Sequence, residues 1–274
     1  MALRADALTL AYDSRVAVSD VDLEVLEGAV TAIVGANASG KSTLLRGLAR
    51  LLRPRSGSVL LDGADIATLR TREVARRIGL LPQAPVVPDA ITVEELVARG
   101  RYPHQRLLRP MSREDRDEVE RALAATGVED LRDRLLDELS GGQRQRAWIA
   151  MVLAQETPLL LLDEPTTYLD LAHQIEVLDL LEDLNRGEGR TVVMVLHDLN
   201  QACRYASHVV ALLDGRVHAV GRPAEIVDEE LIETVFGVHA RVVPDPVRGT
   251  PMCVPLGRGD QAATALPRSS SHPR

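Results

Sequence analysis

The chain has 274 residues, enough for one large or two small domains, and its 45% hydrophobic and 26% charged residues exclude collagen-like, fibrous and wholly disordered classes. Forty acidic against 32 basic residues give a net charge of −8, which argues against a nucleic-acid partner held on a general basic surface. No apolar run approaches the roughly 20 residues of a membrane span, no basic start precedes an apolar stretch at the N-terminus, and Cys203 and Cys253 form no C-x-x-C pattern. The expectation is a folded cytosolic chain whose two thiols carry no chemistry.

In chain order, Ala29 to Val34 is a short apolar run of the kind a buried parallel strand shows. It leads into Gly35-Ala36-Asn37-Ala38-Ser39-Gly40-Lys41-Ser42, a full match to G-x-x-x-x-G-K-[ST]. Thr43 to Leu52 then reads as a helix with Leu44, Leu45 and Leu48 on one side. In such a strand, loop and helix, successive backbone N–H groups and the helix N-terminus make a concave anion site for phosphates. Lys41 adds a compact charge at the β- and γ-phosphates, and the Ser42 hydroxyl can ligate Mg²⁺. Lys41 is the sole lysine of the chain; arginine serves wherever else a basic side chain stands.

Ile78 to Leu81 reads as another strand, while Thr92 to Arg99 and Ser112 to Ala125 carry helical apolar spacing with dense charge. Ser112 with Asp115 makes a helix start. Leu139-Ser140-Gly141-Gly142-Gln143 precedes a helix from Arg144 to Glu156, so Ser140 and the two glycines are expected to form an uncapped N-terminus open to an anion. Leu159 to Leu162 bury a strand whose carboxyl end presents Asp163 and Glu164, where ligands of open α/β sheets bind. Asp163 fits the Mg²⁺ shell, and Glu164 is placed to orient or deprotonate an attacking water. Val192 to Leu196 is a further strand, Pro223 to Gly237 two short helices, and Arg241 to Val243 with Cys253 to Pro255 a small ribbon. Residues 259–274, poor in large apolar side chains, read as a disordered tail.

The loop at Gly35, the carboxylates at Asp163 and Glu164 and the pentapeptide at Leu139 together resemble the ABC-type ATPases, whose signature is that pentapeptide. The resemblance implies an α/β P-loop NTPase fold of ABC type. Its RecA-like core, with an N-terminal antiparallel β portion, would cover 1–83 and 158–221. An inserted α-helical subdomain with the signature would cover 84–157, and C-terminal helices and ribbon 222–258. It also implies that Tyr12 stacks on adenine, that Gln83 senses Mg²⁺ and water, that Asp170 belongs to the D-loop, and that His197 positions the γ-phosphate and water. Taken singly, such a tyrosine, glutamine or histidine is an ordinary structural residue; their joint order carries the assignment. ATP would then be held by Tyr12, Gly35 to Thr43, Ser140 to Gln143 and Asp170. Catalysis would rest on Glu164, His197, Gln83 and Lys41, and Mg²⁺ on Ser42, Gln83 and Asp163.

Several stretches are similar to the ATPase subunits of ferric siderophore importers, most closely the ferric enterobactin type: Val97 to Gln105, Arg144 to Met151, Thr166 to Asp170, Leu196 to Ala202 and Val254 to Arg258. This implies ATP hydrolysis at the cytoplasmic face of the membrane, driving import through a separate permease that an extracytoplasmic siderophore-binding protein supplies. It further implies a head-to-tail homodimer with two ATPs between the loop of one copy and the signature of the other. The permease contact would lie near residues 84–105, with Arg99, Arg101 and Tyr102 as candidates. Haem or cobalamin import is an alternative cargo. A soluble ABC ATPase of DNA repair or translation is the alternative class, against which the absence of a second module, a coiled-coil insertion and a cysteine cluster argues. The family's loop usually reads Gly-Pro-Asn-Gly, whereas here Ala36 and Ala38 stand at the second and fourth places, and Ala38 carries a cost if its backbone takes φ > 0.

Overall fold

The computed structural model describes residues 2–83, 90–105, 110–167 and 169–257. The tail at 259–274, residues 84–89 of the expected permease segment and Tyr168 lie outside the described residues.

The chain runs through β1 (Leu3–Tyr12), β2 (Arg15–Val25), β3 (Val30–Gly35), α1 (Lys41–Leu48), β4 (Ser56–Leu61), β5 (Ala64–Asp65), α2 (Thr71–Ala75) and β6 (Ile78–Leu81). Next come α3 (Val93–Arg99), α4 (Arg113–Ala125), α5 (Gly141–Ala154), β7 (Leu159–Asp163), α6 (Leu171–Glu188), β8 (Thr191–Val195) and α7 (Leu199–Tyr205). β9 (His208–Leu213), β10 (Arg216–Gly221), α8 (Pro223–Ile226), α9 (Glu229–Phe236), β11 (Ala240–Pro244) and β12 (Pro251–Pro255) complete it.

Two sheets face each other across α1. One is antiparallel, in the order β2-β1-β4-β5; the other runs β10-β9-β3-β8-β7-β6, parallel from β9 to β6 with β10 antiparallel at its edge. The inner strands are buried on both faces, which is why they read as unbroken apolar runs rather than alternating ones. Leu159 and Leu161 of β7 join Ile33, Val193, Val195 and the α1 leucines 44, 45 and 48 in the core shared with the antiparallel sheet. Leu160 and Leu162 face the opposite way and join Ala32, Val34, Val192 and Met194 in the core that α3 to α7 and α9 cover.

The helix starts are chemically explicit. Thr92 and Glu95 close a capping box on α3, and Ser112 and Asp115 close one on α4 as the sequence predicts. The helix after the phosphate loop begins at Lys41, two residues before the sequence-based start, because Gly40 turns into the left-handed region at φ 101 and caps it from outside. A Cβ on Gly40 would stand 2.7 Å from the Ala17 carbonyl oxygen, so no other residue fits there unstrained. The two short C-terminal helices and the terminal ribbon form as expected, β11 pairing with β12 in antiparallel register.

Candidate active site

The loop between β3 and α1 sits at the carboxyl end of the central strand, as ligand sites of open parallel sheets do. Gly35 has φ 150, and a Cβ there would lie 2.4 Å from the Leu212 carbonyl oxygen, so the loop can leave β3 beside β9 only as glycine. Lys41 is buried and donates through Nζ to the carbonyl oxygens of Gly35 and Ala36, both at 2.9 Å. Burial lowers its pKa, while the charges of Glu164 and Asp163 act in the opposite sense. Ala38 takes φ 62, the left-handed conformation that its identity disfavours.

β7 delivers the carboxylates. Asp163, 2% exposed, accepts a hydrogen bond from Ser42 Oγ at 2.7 Å through Oδ1, and its Oδ2 is buried with no hydrogen-bond partner. Burial raises the Asp163 pKa against the opposing Ser42 bond. A buried, half-satisfied carboxylate beside a serine hydroxyl is an all-oxygen donor set of the kind a hard divalent cation takes, so these residues fit Mg²⁺. Glu164 stands at φ 56, with Oε1 2.7 Å from His197 Nε2 and Oε2 accepting from Thr167 Oγ1 at 3.0 Å.

These groups border one open cleft of about 880 Å³, lined by Tyr12, residues 37–43, Gln83, Glu164 and His197. The structure thus gathers the sequence-predicted tyrosine, phosphate loop, glutamine, glutamate and histidine into one place. Gly35 and Ala36 meet it through Lys41, and Asp163 through Ser42. Tyr12 is held at its hydroxyl by Arg46 at 3.2 Å. Sequence reasoning missed Arg46, Thr167 and the walls formed by Arg15 to Ala17 and Asp214-Gly215. Of these, Asp214-Gly215 alone carries a sequence signal that could have marked it, the Asp-Gly of a hairpin between β9 and β10.

Ser140, Gly141, Gly142, Gln143 and Asp170 do not line this cleft. The expectation of an uncapped N-terminus at Ser140 is corrected. Ser140 Oγ accepts from Gln143 N at 3.3 Å, and Gln143 Oε1 accepts from Ser140 N at 3.1 Å, because a glutamine at the third helical position folds back to close a capping box. Asp170 caps α6, accepting from His173 N at 3.0 Å, and backbone and side-chain bonds from His173 hold its pKa below the ordinary value.

Among the candidate permease contacts, Tyr102 is 62% exposed and Arg99 is exposed. Arg101 is corrected: it is buried, pairing with Asp115 at 2.9 Å and Glu156 at 3.1 Å and donating to the Ala154 carbonyl at 2.8 Å. A basic run in sequence does not reveal which of its members turns inward. Cys203 is buried, and its thiol is pushed up to about 12 chiefly by burial.

A phosphate loop, an acidic strand end and a histidine paired with Glu164 on one parallel sheet define a nucleotide-hydrolysing cassette, and the family profile described as ABC transporter matches residues 18–167. The chain belongs to the ABC transporter family. It is 56% identical over 256 residues to the ferric enterobactin transport ATP-binding protein FepC of Escherichia coli, covering 93% of this chain and 94% of that one. It is 52% identical to the petrobactin import ATP-binding protein FpuD of Bacillus anthracis, covering 94% of each. Among solved structures it is similar to the dimeric bacterial ABC transporter cassette MJ0796, with a TM-score of 0.73 and 31% identity over 80% of this chain and 98% of that chain.

Proposed function

We propose that this chain is the ATP-binding subunit of an importer, hydrolysing ATP at the cytoplasmic face of the membrane to drive uptake of a ferric siderophore through a separate permease. The convergence of Lys41, Ser42, Asp163, Glu164 and His197 at the strand ends carries the ATPase reading. Identity of 56% to a ferric enterobactin transport protein over nearly the whole chain supports the cargo. Residues 1–83 and 158–221 form the nucleotide-binding core, 84–157 the helical subdomain and 222–258 the C-terminal unit.

Tyr12 stacks on adenine while the loop amides from Asn37 to Thr43 take the phosphates. Lys41 leaves the two loop carbonyls and turns its ammonium to the β- and γ-phosphates. Glu164 accepts a proton from the attacking water as the bond between the γ-phosphorus and its bridging oxygen breaks, and His197 orients both that carboxylate and the γ-phosphate. Ser42, Asp163 and Gln83 would hold Mg²⁺, which supplies charge neutralisation at the phosphates when bound.

The test is uptake of a radiolabelled ferric catecholate siderophore in cells lacking their own copy, with labelled cobalamin as control, comparing this chain with Glu164→Gln. Loss of iron uptake with cobalamin uptake unchanged is expected. If neither uptake changes while the purified protein still hydrolyses ATP, the ATPase reading stands and the cargo is overturned.

A further inference from the structure

Both oxygens of the Glu164 carboxylate are engaged, one by His197 and the other by Thr167. The residue is also strained: φ 56 lies in the left-handed region that a side chain with a Cβ disfavours, so something must hold it there. The turn that follows does so twice, through Thr167 N on the Glu164 carbonyl at 3.2 Å and through the Thr167 hydroxyl on Oε2. Lys41 and Ser42 direct their hydrogen bonds elsewhere, to the loop carbonyls and to Asp163. His197, half exposed, is the remaining anchor on the carboxylate.

Building on the ATPase reading above, we propose that Thr167 is a positioning residue for hydrolysis, its hydroxyl fixing the plane of the Glu164 carboxylate before water arrives. The last torsion of a glutamate is broad, so a carboxylate held at one oxygen swivels about that bond, whereas two donors define its plane. The group that must receive a proton from a water of fixed approach gains most from such restraint. Thr167 is only partly buried, so the restraint is local and does not depend on core packing.

The test compares Thr167→Val, which keeps the shape and removes the hydroxyl, with Thr167→Ser, which keeps the hydroxyl. In Thr167→Val, kcat should fall about five- to tenfold, the effect of losing one ordinary hydrogen bond, while KM and the Kd of a fluorescent ATP analogue stay within about twofold. Thr167→Ser should restore kcat. The ring ¹⁵N resonances of His197 in the nucleotide-free protein should move in the valine variant and not in the serine variant. Wild-type kcat in Thr167→Val, or an equal loss in Thr167→Ser, overturns the proposal. Two further measurements separate the levels: if the wild type hydrolyses no ATP, the ATPase reading fails, and if Glu164→Gln turns over ATP like the wild type, the role of Glu164 fails and the positioning role with it. If Glu164→Gln is dead while Thr167→Val is normal, the positioning role alone fails.

Discussion

At the scale of single residues, conformational strain is found at the candidate site. Ala38 and Glu164 both sit in the left-handed region, at φ 62 and φ 56. Such a conformation costs roughly 1–2 kcal/mol for a residue with a Cβ. The conformation belongs to the turn that the loop makes between β3 and α1, so its strain is expected to enter stability rather than affinity. Ala38→Gly relieves it but adds about 0.4–1 kcal/mol of backbone entropy to the unfolded chain, so the two terms oppose each other. The expected outcome is a rise in unfolding free energy of less than about 1 kcal/mol in urea titration, with nucleotide Kd within about twofold of wild type. A clear tightening would instead mean that the loop enters this conformation only on binding.

At the scale of elements, the inserted helices are locked by a buried ion pair rather than by apolar packing alone. Arg101 joins the end of α3 to Asp115 in the first turn of α4 and to the carbonyl ending α5. Burial would raise the Asp115 carboxyl, but the bonds from Ser112 and Arg101 outweigh it and hold its pKa below the ordinary value. A depressed carboxylate contributes stability that is present above the unfolded value of about 3.9 and is lost as pH falls through the lower folded value. Asp115→Asn should therefore cost about 3 kcal/mol at neutral pH, by leaving a buried guanidinium short of its partner, and its deficit should shrink below pH about 4. Urea unfolding at a series of pH values reads this directly. The same region marks where sequence reading stops. The leucines of β7, the loop from Gly35 and the box at Ser112 were legible because period, motif and cap act over a few residues. Arg101 was not, since only tertiary packing decides which arginine of a charged stretch turns inward. Gln143 was misjudged because one side chain can serve as cap or ligand contact, and the cleft walls at Arg15 to Ala17 and Asp214 come from hairpins distant in sequence.

At the scale of the whole molecule, the geometry leaves the single chain's site one-sided. The cleft is open, and its lining holds no residue from Ser140 to Gln143 or from the start of α6. The signature lies instead against the Asp170 turn: a Cβ on Gly142 would meet the His173 ring at 3.5 Å and Leu169 at 3.6 Å. On the proposed head-to-tail reading, signature and Asp170 turn would be the second surface that one copy of the chain presents to the cleft of its partner, with ATP between them. If each site needs two chains, the rate per chain should rise with protein concentration until dimerisation saturates. Glu164→Gln, which on the proposed role binds ATP without hydrolysing it, should accumulate as a dimer in size-exclusion chromatography with ATP and run as a monomer with ADP. Ser140→Arg places a bulky cation on the signature while leaving the phosphate loop untouched. It should keep nucleotide Kd within about twofold yet lower kcat by about a hundredfold or more, and block that ATP-dependent dimer. A Ser140→Arg protein that hydrolyses ATP at the wild-type rate would show that the cleft of one chain is sufficient, and the sandwich arrangement would have to be given up.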